Sequence, residues 1–257
     1  MRIGVASDVH GNLHALETVL TALDQAGCDR VVSPGDLVGY GPRPNECVAR
    51  LREAGAEAVA GNHDLMAVGL LPVDRLPELQ RQTIDWTRAA LDDGTRDYLA
   101  ALPVEARPAA DVLMTHGALG DPTVYVHGAT AARSQLTFLA GSQPDVRLLL
   151  IGHTHHPLAV PAHGEPPPPD GEVELPVAAG RWILNAGSVG QSREARPVAR
   201  ALVIDLDRGS ARFLALDYDV AATQRELAEA GLPERACHLP PSTGRRGWLA
   251  RLRGRGR

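Results

Sequence analysis

Lysine is missing altogether: the 26 basic residues are all arginine, against 31 acidic ones, for a formal net charge of −5. With Ala, Gly and Pro abundant, this reads as the base-composition bias of a GC-rich genome, and no function follows from it. The mildly acidic balance, with a sequence pI near 6.0, weighs against a protein whose main partner is nucleic acid. Cysteine is scarce. Cys28, Cys47 and Cys237 are far apart and show no paired spacing, which excludes a disulfide framework and a thiolate metal site and fits a reducing cytoplasm. No apolar run approaches the ~20 residues of a membrane span, so no membrane partner is expected. A motif-bearing strand begins at Arg2, so no secretory leader is expected either.

The chain of 257 residues is long enough for a sizeable core, and 44% hydrophobic content is ordinary for a globular protein. Residues 2–6 read as a strand. Leu13, Leu16, Val19, Leu20 and Leu23 then recur at helical spacing before Gly27, and residues 30–33 read as the next strand. Strand, helix, strand in that order predicts a parallel βαβ unit. Pro44 opens a second helix with Val48 and Leu51 inward. It leads to a strand through Ala56, Ala58, Val59 and Ala60, ended by Gly61, from which Asn62, His63 and Asp64 project. Residues 65–107 are expected to be mostly helical, with Ile84, Trp86, Leu91, Tyr98, Leu99 and Leu102 on buried faces. Strands follow at 111–114 and 147–151 around a helix near 130–140, whereas 161–180, with Pro166 to Pro169, is expected to be an irregular loop. A strand at 182–185, a hairpin of 199–206 with 211–218 and a helix at 221–230 complete the order.

Five strand ends in this scheme carry oxygen or nitrogen ligands next to glycine. They are Asp8-Val9-His10, Gly35-Asp36, Gly61-Asn62-His63-Asp64, Thr115-His116-Gly117 and Gly152-His153-Thr154-His155. The carboxyl ends of strands are where open α/β sheets place chemistry. A lone His after a strand is most often an ordinary hydrogen-bonded residue; a run of seven metal-ligating residues in this syntax is not. Two neighbouring divalent cations need one bridging ligand, imidazoles, further oxygens and room for water, and Asp36 is the natural bridge. Asp8 and His10 can reach one ion, and Asn62 and His116 the other. His153 and His155, two apart on an extended segment and therefore on one side of it, can serve one ion each. A domain boundary anywhere between Asp8 and His155 would cut this set, so one domain is expected over 1–238, followed by a flexible Arg-rich tail over 239–257.

Over residues 1–218 the motifs resemble the calcineurin-like metallophosphoesterase superfamily, and within it the small bacterial and archaeal phosphodiesterases. The resemblance implies an α/β fold, a four-layer α-β-β-α sandwich of two mixed β-sheets flanked by helices. It implies one metal held by Asp8, His10, Asp36 and His155 and a second held by Asp36, Asn62, His116 and His153. His63 matches the non-ligand catalytic histidine that acts on the phosphate or its leaving oxygen. Two divalent ions are expected, Mn²⁺ foremost, with Fe²⁺, Zn²⁺ or Ni²⁺ as alternatives. The function implied is a cytoplasmic, dinuclear-metal-dependent hydrolase of small-molecule phosphoesters, diesters in particular, working by attack of a metal-bridging hydroxide. A phosphomonoesterase or nucleotide hydrolase is the alternative. A nuclease that uses the Arg-rich tail on a phosphate backbone, or a non-catalytic scaffold, comes after these.

One departure bears on specificity. The protein Ser/Thr phosphatases and symmetrical dinucleoside tetraphosphate hydrolases of this superfamily carry Asp-Arg-Gly shortly after their bridging Asp, where this chain has Gly39, Tyr40 and Gly41. The Asp that orients the catalytic His and the Arg that clamps phosphate are thus both replaced. Asp64 is a candidate to orient His63, and Arg43, Arg181, Arg193 and Arg196 are candidates to supply the charge. Gly39, Tyr40 and Gly41 are expected to leave space and an aromatic face for a second ester substituent. Asn12 is expected to cap the first helix or line the site, and Asn185 to touch substrate or support the site. His14 is placed near the site mouth, His127, His163 and His238 on the surface, and His156 facing away.

Overall fold

Alternation along the strands sorts the apolar residues into layers. In the computed structural model, which describes residues 1–176 and 180–241, the strands are β1 (Arg2–Val5), β2 (Arg30–Ser33), β3 (Glu57–Ala58), β4 (Glu105–Ala109), β5 (Val112–Thr115), β6 (Leu148–Ile151), β7 (Leu158–Pro161), β8 (Gly171–Glu174), β9 (Trp182–Asn185), β10 (Ala199–Asp205) and β11 (Ser210–Leu216). The helices are α1 (Leu13–Gln25), α2 (Pro44–Glu53), α3 (Asn62–Ala67), α4 (Glu78–Ala90), α5 (Asp93–Ala100), α6 (Gly128–Ser142) and α7 (Val220–Glu229). One sheet runs β3-β2-β1-β10-β11-β8 and the other β4-β5-β6-β9-β7. Both are mixed. The parallel runs are β1 with β2 and β3 in the first sheet and β5 with β6 and β9 in the second.

Ile3, Val5, Leu202 and Ile204 of the first sheet meet Met114, Leu148, Leu150 and Leu184 of the second in a core between the sheets. The opposite face of β6, Leu149 and Ile151, packs with Leu136 and Leu139 of α6. Ala201 and Val203 on the outer face of β10 pack with Leu16, Val19 and Leu23 of α1. Helix, sheet, sheet, helix is the four-layer order that the family resemblance implies.

The sequence placed β2 and β9 to the residue and most other elements within one or two positions. Asn12 caps α1, its Oδ1 accepting from the Ala15 N–H at 3.2 Å. Four expectations need correction. Asn62, His63 and Asp64 lie in the first turn of α3 and not on a strand end, because Gly61 turns the chain and Asp64 folds back to accept the Gly61 N–H. Between α3 and α4 the segment 68–77 is not helical, interrupted by Gly69, Pro72 and Pro77, and 105–107 belong to β4. The expected loop at 161–180 contains β8, whose Val173 is buried and whose backbone pairs with the edge of β11. His153 and His155 do not sit on extended backbone: both have left-handed φ, +67° and +61°. Residues 177–179 of that loop, and the Arg-rich tail from 242 onward, lie outside the described residues. Among the described residues no helix is long and apolar enough to cross a membrane.

Leu150 is buried between the two sheets, so Leu150→Ala is expected to lower unfolding stability by roughly 2–5 kcal/mol, the range for large-to-small core changes. Urea denaturation checks this, and a loss below about 1 kcal/mol would place the residue outside a tightly packed inter-sheet core.

Candidate metal centre

The carboxyl ends of both parallel runs meet at one point, and loops from β1, β2, β5, β6 and β9 are hydrogen-bonded across it. Asp8 N–H donates to Gly35 O and His10 N–H to Asp36 O, each at 3.0 Å, tying the β1 loop to the β2 loop. The Gly152 N–H donates to His116 O at 2.9 Å, and the Val189 and Gly190 N–H groups donate to Ser7 O and Asp8 O, so the β9 loop joins one sheet to the other. All seven residues expected to be ligands are brought together there, in two overlapping groups. Asp8, His10, Asp36 and His155 form one; Asp36, His116 and His153 form the other, with candidate ligand atoms all within 4.8 Å of one another in each. Asn62 joins the second group, its Oδ1 lying 3.1 Å from His116 Nε2.

The backbone holds these side chains in an unusual way. Among the described residues, six other than glycine have positive φ, and five of them are Asp8, His10, Asp36, His153 and His155; the sixth is Tyr40. Left-handed backbone costs a residue with a Cβ roughly 1–2 kcal/mol, so each position must be fixed by its surroundings. Asp64 fixes the β2 loop: its carboxylate accepts the N–H groups of Asp36, Leu37, Val38 and Gly61 at 2.8–3.1 Å. Burial, and then the Asp36 charge, raise the Asp64 pKa to about 7, while the hydrogen bonds from the Gly61 and Val38 N–H groups pull back toward the ionised form. Asp64 therefore shapes the loop and does not orient the His63 ring, contrary to the expectation from sequence. Ser7 Oγ donates to Asp8 Oδ2 at 2.6 Å and the His153 N–H donates to Asp8 Oδ1. Gly61 must lack a side chain, since a Cβ there would overlap the Asp36 carboxylate.

The donor set fits divalent cations, on the following hydrogen bonds. His10 Nδ1 lies 3.1 Å from Val38 O and His155 Nδ1 lies 2.9 Å from Gln191 O. A carbonyl only accepts, so both protons sit on Nδ1 and both Nε2 atoms carry bare lone pairs. These two Nε2 atoms nevertheless face each other at 3.0 Å. In the second group His116 donates from Nδ1 to Pro34 O at 2.7 Å, which turns its Nε2 toward Asp36 Oδ2 at 3.2 Å and Asn62 Oδ1. The facing Nε2 lone pairs of His10 and His155, acceptor set against acceptor in a water-poor place, are unfavourable unless a cation lies between them. His153 Nε2 lies 3.0 Å from Thr123 O, which leaves Nδ1 as its free lone pair. Asp36 spends Oδ1 on the His63 N–H at 2.8 Å, and its Oδ2 lies 3.6 Å from His10 Nε2 as well as near His116. That one oxygen faces both groups.

Burial depresses the pKa of His10 and His155 well below the ordinary imidazole value and that of His153 to about 4, so all three are neutral, the form that binds metal. Burial raises Asp8 to about 7. Asp36 is held well below the usual carboxylate range: burial opposes this, but His116 and His63 prevail. For His116 burial works against the charged form, yet Asp36 and Asp8 outweigh it and lift the pKa to about 9. The negative field that draws a proton to His116 would equally draw a divalent cation.

Several neighbours were not legible in the sequence. Tyr40 is buried, its ring centroid 4.7 Å from that of His10 and 4.6 Å from that of His63, so it offers no open aromatic face for a second ester substituent. Nor does Gly39 leave space, because a Cβ there would overlap His63 Nδ1. Tyr125 stacks on His153 at 3.8 Å and on His127 at 5.2 Å, which places the exposed His127 beside the rim of the site. Asn185 supports the site: its Nδ2 donates to Gly152 O at 2.6 Å and its Oδ1 accepts the Gly187 N–H. His14 faces Glu226 at 3.3 Å, and His156 is exposed, as expected.

Comparison with known proteins agrees with this geometry. The family model of the calcineurin-like phosphoesterase superfamily domain matches residues 1–209. The chain belongs to this superfamily. It is similar to the crystal structure of a metallophosphoesterase from Sphaerobacter thermophilus, at 36% identity over 92% of this chain and 96% of that one, with a TM-score of 0.75. Phosphodiesterase YfcE of Escherichia coli K12 is 31% identical over 159 residues, 62% of this chain and 72% of that protein. An uncharacterized protein of Methanocaldococcus jannaschii is 28% identical over 237 residues, 90% of this chain and 94% of that one. As a member of the superfamily the chain is a hydrolase acting on phosphoester bonds with a dinuclear divalent metal site.

A site that sets lone pairs against each other is stabilised by the ion it binds. With Mn²⁺ at 100 times the Kd, each site is expected to add ~2.7 kcal/mol to folding stability. Removal of metal with a chelator should therefore lower Tm by several degrees, and differential scanning calorimetry with and without Mn²⁺ reads this directly. An unchanged Tm would remove the energetic reason for the arrangement.

Proposed function

We propose that the chain is a phosphodiesterase in which Asp8, His10, Asp36 and His155 hold one divalent cation and Asp36, Asn62, His116 and His153 hold the other. The facing of bare His10 and His155 nitrogens at 3.0 Å carries the reading, because two buried lone pairs at that distance need a positive charge between them. Carboxylate, amide and imidazole donors without thiolate suit Mn²⁺ first, then Fe²⁺, Zn²⁺ or Ni²⁺. When bound, such a pair of cations supplies an ionised water near neutral pH and positive charge for the phosphoryl oxygens.

His63 is the catalytic side chain that holds no metal. Burial, with help from His116 and Arg193, lowers its pKa, so the ring is neutral before substrate enters. An anionic phosphoryl group beside it favours the protonated imidazole, which then donates to the leaving oxygen. Gly39 makes room for that ring and Tyr40 packs against it, so its position is set by packing. Asp36 joins the two functions, since its Oδ1 holds the His63 backbone while its Oδ2 faces the ligand groups.

Two variants separate these roles. Asp36→Ala is expected to abolish both metal sites and nearly all activity. His63→Gln should keep its metals while kcat falls by about 10²-fold or more, the scale of a lost general acid. Elemental analysis beside steady-state kinetics reads both; loss of a metal from His63→Gln would exchange the roles of His63 and a ligand.

Preference for diesters rests on the charge available. A dianionic monoester gains most from a bidentate guanidinium fork, and this chain has the buried, neutral Tyr40 where monoester-cleaving relatives carry that Arg. A singly charged diester asks for less. The similarity to YfcE, named as a phosphodiesterase, supports the same reading. With saturating Mn²⁺, kcat/KM for bis-p-nitrophenyl phosphate is expected to exceed that for p-nitrophenyl phosphate, and the reverse order would defeat the diester assignment.

A further inference from the structure

Four arginines stand close enough in sequence to the motifs to replace the missing phosphate clamp, and the structure separates them. Arg43 is held by Glu226 at 3.0 Å and by Glu46. Arg181 donates to the carbonyls of Val146 and Pro144, and Arg196 pairs with Asp217. Arg193 differs from all three. Among the described residues it has no carboxylate partner, its Nε is buried without any partner, and its one side-chain hydrogen bond is a long 3.4 Å contact to Gln191 Oε1. The neighbouring Glu194 does not serve it, because both Glu194 oxygens are taken by Arg200 at 2.7 Å.

The two residues preceding Arg193 are anchored beside the site. Gln191 O is the acceptor that sets the His155 tautomer, and the Gln191 N–H is held by Ser188 Oγ at 2.9 Å. Gln191 Nε2 donates to Ala236 O, and the Ser192 N–H to Cys237 O, which fixes the segment from its far side. A guanidinium left under-bonded at the edge of a buried site, two residues from a ligand's support, lacks an anion.

We propose that Arg193 supplies the anion-holding contact of the substrate pocket: its guanidinium donates to a phosphoryl oxygen of the bound ester, from the β9 loop instead of from position 40. This rests on the phosphoester-cleaving reading above and adds to it the residue that recognises the substrate's charge. The two residues before Arg193 are fixed by these bonds, so the contact needs no movement of the metal ligands.

The test uses the full-length, Mn²⁺-loaded protein and inorganic phosphate as the probe. By isothermal titration calorimetry, Arg193→Ala and Arg193→Gln are expected to bind phosphate about tenfold more weakly or worse, the scale of a lost charge-assisted contact, with metal content unchanged. Arg193→Lys, which restores the charge without the fork, should recover part of the affinity. KM for bis-p-nitrophenyl phosphate should rise in the same order. Arg196→Ala, paired with Asp217 at the surface, should stay within twofold of wild type. Phosphate affinity within twofold of wild type in Arg193→Ala and Arg193→Gln would overturn the proposal, as would loss of metal from these variants, which would make Arg193 a support of His155. A wild-type protein that binds no phosphate overturns it too. A wild type that binds phosphate through Arg193 but cleaves no ester leaves this inference standing and refutes the catalytic reading.

Discussion

Two imidazole nitrogens with no proton between them, pointed at each other inside the protein, set the terms for everything around them. His10 and His155 are kept in that state by carbonyls, Val38 O and Gln191 O, that claim the other ring nitrogen of each. The carbonyls can do so only if the β2 and β9 loops hold their shape, and those loops are therefore the most heavily bonded parts of the site. Asp64 gathers four N–H groups from one. Ser188 serves the other, accepting the Gln191 N–H while donating to Asp8 O. Buried acceptors facing one another cost free energy in the metal-free chain, and the same cost is relieved on binding.

The two-sheet architecture is what makes such a site affordable. Each sheet ends its parallel strands at the same edge, so five loops arrive from two directions without any long excursion. Close approach is needed, and left-handed backbone supplies it: it turns Asp8, His10, Asp36, His153 and His155 inward within one or two residues of their strands. The inter-sheet core of Ile3, Val5, Leu148, Leu150 and Leu184 lies directly below and fixes the separation of the two halves. A change in that packing would be felt as a change in ligand spacing.

The residues of the centre were legible because strand, ligand and glycine recur in one order, and a repeated order is informative where a single His is not. The roles around them were harder to read. Asp64 looked like a partner for His63, and only its three-dimensional position shows that it bonds to backbone. Tyr40 looked like an open aromatic face, and only the packing of Leu227 and Leu232 around it shows that it is buried. The Asn62 segment was read as a strand end because apolar, small residues precede Gly61, whereas local bonding by Asp64 turned it into helix. The strand β8 was hidden among prolines; it exists because the β11 edge offers unpaired backbone groups, a long-range cause that no local pattern carries. Stacking of Tyr125 on His153 depends on where the 117–127 loop folds and had no sequence signal at all.

The exchange of charge between positions 40 and 193 follows from the same constraint. At position 40 the side chain lies within 5 Å, centroid to centroid, of both His10 and His63, under the layer that must hold cations. A guanidinium there would need an anion beside it at all times, and in the Asp-Arg-Gly relatives an acidic residue stands next to it in sequence. Here Gly39 takes that place and brings no charge, so a cation at position 40 would be buried unpaired, the costliest state for an ionic group. A neutral ring is the residue that packs without that penalty. The β9 loop, by contrast, leaves Arg193 half-buried, and the charge there can be hydrated until an anionic substrate arrives. A guanidinium at position 193 brings the same single positive charge as one at position 40 would, but on a half-buried loop and not beneath the cluster of ligand side chains.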